Sequence, residues 1–223
     1  MGTYEASIGV LAEELERVER VLAGLSPEEW QTPTKLVPVD PSLKRWTVFE
    51  LAGHFDISIR LTSMLIDGRD DLQPARDRTS FFINPRSETA PVVYDYAFTV
   101  VEGKTPADML RVLHQTFSDA ISQARAVPAG TVGPGYFAPM RADEFVASRI
   151  VEAVVHGIDL TQALDRDYIA TTDGIIETAE ILDDLLARRT VGLRPGELSN
   201  NLDWILAASG RSEFEDTRLP LIG

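Results

Sequence analysis

Apolar residues recur at helical spacing along the first segment. Tyr4, Ile8, Leu11, Leu15, Val18 and Leu22 fall three or four apart, with charged residues between them. This stripe predicts an amphipathic helix that Gly24 ends. Ser26-Pro27-Glu28-Glu29 supplies a capping serine, a first-turn proline and a glutamate three residues on, so a short helical turn restarts there. Thr32 to Leu43 contains Pro33, Pro38 and Pro41 and is expected as an extended loop. Thr47 with Glu50 has the spacing of a capping box. The helix it opens is expected to continue through Leu61 and Leu65 to about Gly68. From Asp70 to Lys104 the pattern weakens around Pro74, Pro85 and Pro91, and Pro91 to Val101 fits either a helix or an extended segment.

Thr105-Pro106-Ala107-Asp108 reads as cap, first-turn proline and acidic first turn, opening a helix through Leu110, Leu113, Phe117 and Ile121. A connection rich in Gly and Pro, Pro128 to Pro139, leads to a long helical period from Ala142 to Leu164. Ile175, Ile176, Ala179, Leu182, Leu185 and Leu186 form another stripe, closed by Arg188-Arg189 at the negative end of the helix dipole. A short helix is expected near Leu198 to Ala208, stopped by Gly210. No stretch alternates apolar and polar over a strand's length. The expected fold is all-α: four long helices in a bundle, with additional C-terminal helices. Residues 1–165 are expected to form the bundle, and 166–223 a helical extension packed on it.

Composition narrows the function. The 223 residues are 44% hydrophobic and 25% charged, which suits a folded chain with a sizeable core. With 21 Lys and Arg against 35 Asp and Glu, the net charge of -14 disfavours nucleic acid and anionic membrane surfaces as partners. No apolar run spans a bilayer and the start lacks a signal pattern, so a cytoplasmic location is expected. There is no cysteine, so any thiol chemistry must use a thiol brought from outside.

The candidate chemistry lies in two helices. Glu152 and His156 are four apart and share one helix face, and His54 on the earlier helix can complete a set of two imidazoles and one carboxylate. Zinc accepts this set while keeping a fourth position free. Asp159 could accept the other ring N–H of His156 and fix its tautomer, or bond local backbone. Arg149, one turn before Glu152, could orient that carboxylate, bind an anionic substrate or simply be solvated. Trp46 is expected to anchor the loop against the helix. His114 reads as core-flanking, and Arg60 and Arg86 are candidate carboxylate clamps that no spacing singles out.

Trp46-Thr47-Val48 ahead of Leu51 and His54, followed by Arg149, Glu152, His156 and Asp159, resembles the DinB-like superfamily and, within it, the mycothiol-dependent maleylpyruvate isomerase family. Leu25-Ser26-Pro27-Glu28-Glu29-Trp30 and the helix before it are similar to that family's first helix. Leu206-Ala207-Ala208-Ser209-Gly210-Arg211 is similar to the ending of an actinobacterial subgroup. The resemblance implies a four-helix bundle holding a divalent metal, usually zinc, on the residues matching His54, Glu152 and His156. It also implies mycothiol or a similar thiol as cosubstrate, in isomerisation or S-transfer on a small molecule. One departure stands out: the isomerases carry a small C-terminal α/β domain, whereas the last 60 or so residues here read as helical.

Two other readings fit the same residues. One is hydrolysis of a small molecule by metal-activated water, and the other a non-catalytic binding bundle in which Asp159 closes the metal's coordination. Bundles of this kind often pair, so a homodimer is expected by analogy.

Overall fold

The computed structural model describes residues 3–38, 40, 42–65, 68–69, 71–83, 86–190 and 192–222. Its helices are α1 (Tyr4–Ala23), α2 (Val48–Arg60), α3 (Arg86–Val101), α4 (Pro106–Ala126), α5 (Ala142–Ala163), α6 (Thr172–Arg189) and α7 (Asn201–Ala208). The all-α expectation holds. Among the described residues, the named strands are two-residue segments, β1 (Val132–Gly133) and β2 (Met140–Arg141), antiparallel within the connection before α5. Gly135, at φ 61°, makes the turn between them. Among the described residues, no helix is long and apolar enough to cross a membrane.

Helices α1, α2, α4 and α5 form the bundle: α1 packs on α4 and α5, and α2 packs on the same two. The helical stripes meet there. Leu11 and Leu15 of α1, Leu51 and Phe55 of α2, Leu113 of α4, and Ile150 and Val154 of α5 are almost wholly removed from water. Each such side chain contributes about 1.5–3 kcal/mol of transfer free energy. The caps form as the sequence requires. Thr47 and Glu50 make a reciprocal capping box, as do Thr105 and Asp108, while Ser26 and Glu29 exchange hydrogen bonds around the short turn.

The helix carrying His54 is shorter than its apolar pattern suggests. It ends as an α-helix at Arg60 and tightens to a 3-10 turn over Leu61–Leu65, and 66 and 67 lie outside the described residues. The ambiguous Pro91 to Val101 is helical, with Pro91 inside α3. Helix α3 lies against α2, outside the four-helix core. The approach is close: a Cβ on Gly53 would stand 2.6 Å from the Ala97 carbonyl oxygen and 2.9 Å from Val101 Cγ1.

Helix α6 packs on α5 and α1, and α7 packs on α6. Buried Glu14 of α1 fixes the start of α6, accepting hydrogen bonds from Thr171 N (2.7 Å) and Thr171 Oγ1. After α7 the chain turns at Gly210 (φ 74°) and folds back, where Leu221 N and Ile222 N both donate to Ala208 O at 2.7 and 3.1 Å.

Candidate metal centre

Helix α2 presents His54 almost two turns after its Thr47 cap, and α5 presents Glu152 and His156 one turn apart. Because α2 and α5 pack together, the three converge. His54 Nε2 lies 2.9 Å from His156 Nε2, and Glu152 Oε2 lies 3.5 Å from the first and 3.4 Å from the second. Ligands around a tetrahedral zinc at about 2.0–2.1 Å are separated by about 3.3 Å, so this triangle has the size of one face of such a site.

The groups around the triangle set the tautomer of His156 and bias the charge of the rest. His156 Nδ1 donates to Asp159 Oδ2 at 2.8 Å, so its Nε2 lone pair faces the other two ligand atoms. Burial alone would raise the Asp159 pKa. The Arg211 charge and the hydrogen bonds from His156 and Arg211 together outweigh it and hold that carboxyl down to about 2. Burial also opposes charge on Glu152, yet the two histidines and Arg149 hold its pKa well below the usual carboxylate range. His54 is pushed down by burial and by His156. For His156 burial is outweighed by Asp159 and Glu152, and the pKa rises. Two imidazole nitrogens and an ionised carboxylate aimed at one point are mutually repulsive unless a proton or a cation lies between them. That donor set fits a divalent metal with a position left open toward the cavity.

Asp159 is not a fourth ligand. Its two oxygens also take Arg211, Nε to Oδ1 at 2.9 Å and Nη2 to Oδ2 at 2.8 Å, with both side chains nearly buried. Sequence reasoning missed Arg211 as a site residue, quoting it only as the end of a motif. The chain reversal after α7 brings it back across 52 positions. Aromatic rings hold the histidines in place: Trp46 lies against His54 (centroids 5.3 Å apart) and Tyr94 (6.4 Å), and Phe55 meets His156 edge-on at 6.1 Å.

The triangle forms part of the wall of a cavity of about 800 Å³, within the size range of small-molecule sites. Arg149 is also in this wall, and the solvated alternative for it does not hold. The residue is 1% exposed, lies against Phe81 and Phe145, and donates to Ser58 O and Ser148 Oγ. Its Nη and Nε groups do not bond Glu152. Arg60 is held by buried Asp56 and by Thr116, and the Arg86 side chain lies outside the described residues. His114 is neither at the site nor beside the core. It is exposed on α4 and pairs directly with Glu19 of α1 at 2.8 Å, where the charged edges of those two stripes meet at the surface.

The model of the mycothiol maleylpyruvate isomerase N-terminal domain family matches residues 11–161. The chain belongs to that family. The matched segment carries His54, Arg149, Glu152, His156 and Asp159 but ends before Arg211. Family membership places the chain among isomerase-type enzymes. The crystal structure of a histidine-to-alanine variant of mycothiol-dependent maleylpyruvate isomerase aligns with a TM-score of 0.54 and 13% identity. The alignment covers 84% of this chain and 69% of that one, a likeness of fold. No curated protein matches the chain.

Proposed function

We propose that the chain is a metal-dependent enzyme using a low-molecular-weight thiol, mycothiol or a close equivalent, to isomerise a small electrophilic molecule or to transfer the thiol's sulfur onto it. Zinc is the proposed metal, held by His54, Glu152 and His156. The convergence of those three side chains on one point of a cavity wall carries the reading, together with membership of the isomerase family. A divalent metal there supplies Lewis acidity, which turns a weakly acidic thiol into a thiolate near neutral pH.

The chain's own residues do the rest. Asp159 keeps the His156 proton on Nδ1, and Arg211 keeps Asp159 ionised and immobile, so Nε2 remains a lone-pair donor. Trp46, itself backed by Tyr94, packs on the His54 ring and shields it from water on one side. The protein carries no cysteine, so the nucleophile must arrive with the cosubstrate. Addition of that thiol to an activated double bond, rotation and expulsion gives isomerisation; displacement of a leaving group gives S-transfer. Hydrolysis is the weaker reading, since Glu152 belongs to the triangle and Asp159 is engaged by His156 and Arg211, leaving neither as a general base. The division at residue 165, between metal-holding bundle and C-terminal extension, belongs to the same proposal.

The test is cobalt substitution followed by thiol titration. About one cobalt per chain, absent from His54→Ala and Glu152→Ala, with a visible spectrum that gains thiolate-to-cobalt character on adding thiol, is the expected result. A cobalt spectrum indifferent to thiol would refute the proposed role of the metal.

A further inference from the structure

The arginines in the cavity wall differ in what faces them. Arg60 is paired with Asp56 and Arg211 with Asp159, while Arg149 is enclosed and set against the Glu152 charge. Arg189 differs on both counts: it is exposed, and among the described residues no carboxylate pairs with it. Its guanidinium is nonetheless held in place. Nη1 donates to Leu221 O in the folded-back tail, and Nη2 donates to Phe82 O at 2.9 Å. Both acceptors are neutral carbonyls, and a guanidinium has five N–H groups, so donors and charge remain for a ligand. A positioned cation that water reaches, in the wall of a ligand cavity, is available to an incoming carboxylate. The net charge of -14 repels anions in general, so an anion held here needs such a local cation.

Apolar surface that the fold leaves open lines the same cavity. Val37, Leu43, Tyr96 and Tyr136 are exposed by 37 to 63%, and all four lie in its wall. Such side chains lose their contact with water only when a ligand covers them. We propose that Arg189 selects the substrate, receiving the carboxylate of an electrophile whose remaining body is aromatic or aliphatic and covers this apolar wall. The proposal rests on the thiol-dependent reading of the cavity for the chemistry at the reacting end. Arg189 lies beyond the segment that the family model matches, so the selection belongs to the C-terminal part of this chain.

The experiment compares 4-phenylbutyrate with its uncharged amide by titration calorimetry on the purified protein, before and after metal is stripped with a chelator. The acid is expected to bind about 5- to 10-fold more tightly than the amide in both states, a gap between those of an exposed and an enclosed charge-assisted pair. The gap should shrink as salt is raised. Arg189→Gln should remove it by weakening the acid while leaving the amide unchanged, and Arg189→Lys, which keeps the charge without the fork, should retain part of it. Butyrate, which lacks the ring, should bind at least about 10-fold more weakly than phenylbutyrate. The wild-type comparisons need no variant at all.

Equal affinity of acid and amide would overturn the anchor, as would a preference that survives in Arg189→Gln. A preference that disappears with the metal would put the carboxylate on the metal instead, and would also overturn it. Equal weakening of acid and amide in Arg189→Gln would show that Arg189 only holds the tail through Leu221, again against the anchor. Butyrate binding as tightly as phenylbutyrate would overturn the apolar body. The cobalt–thiol spectrum is read separately: silence there with the acid preference intact removes the thiol reading and leaves the anchor, whereas a responsive spectrum with equal affinities does the reverse.

Discussion

Replacing Gly53 by alanine tests whether the α2–α3 contact is as close as it stands. In an ordinary exposed helix this change stabilises by about 1 kcal/mol, because alanine is the better helix former. Here the new methyl would lie 2.6 Å from the Ala97 carbonyl oxygen, where ordinary contact begins at 3.4 Å. Helix α3 must therefore retreat by about 0.8 Å, since a backbone oxygen cannot rotate aside as a side chain can. Overpacking of this kind costs about 1–3 kcal/mol, and with a backbone neighbour the upper half of that range applies. Net destabilisation is about 1–2 kcal/mol after the propensity gain, or roughly 2–8 °C in Tm for a chain of this length. Differential scanning calorimetry measures it directly. Adding Val101→Ala should recover part of the loss, by removing the 2.9 Å contact while leaving the carbonyl clash. Because α3 carries Tyr94 against Trp46, the fluorescence of Trp46 should change with the single variant as well. A Tm at or above that of the parent chain would show that the helices do not meet at this distance.

Three shorter predictions follow from other contacts. Asp159→Asn should weaken metal binding by about 10- to 100-fold in chelator competition, because His156 loses its charged orienting partner and Arg211 its counter-ion. Burial, only partly offset by Thr171 and Arg17, raises the Glu14 pKa in the folded state. Its contribution to stability is therefore full below the ordinary carboxylate pKa and declines as pH rises through the folded value; Glu14→Gln, whose amide oxygen can still accept from Thr171, should flatten that decline in Tm measured against pH. His114→Ala should leave metal content unchanged and stability within about 0.5 kcal/mol, since the pair it makes with Glu19 is exposed; loss of metal in this variant would place the site elsewhere.

The helices were legible because period and caps agree. Thr47 with Glu50 and Thr105 with Asp108 stop the chain where their helices begin, and the four-residue step from Glu152 to His156 puts both on one face whatever surrounds them. Helix α3 was ambiguous because Pro91 argues locally against a helix, and only packing on α2 decides in its favour. Charge misled in two opposite cases. Arg149 carries the signature of a surface residue and is enclosed, because two phenylalanines remote in sequence from each other close over it. His114 lies among apolar neighbours in sequence and is exposed, because a helix turns by about 100° per residue and takes it off the buried face. The Arg211–Asp159 pair depends on a chain reversal that no local pattern announces.

The folded-back tail has an evolutionary consequence. The groups that converge on one point lie within the stretch the family model covers, residues 11–161, whereas Arg189, Arg211 and the Pro220–Ile222 strip reach the cavity from beyond it. The cavity wall is thus assembled from both stretches, and the tail contributes its own strip to it. Substitutions at Pro220 or Ile222 can reshape the cavity without altering any bundle contact of α1, α2, α4 or α5. A library confined to those few codons would sample new substrates at little risk to folding, and descendants of one ancestral centre could have parted ways by the same route.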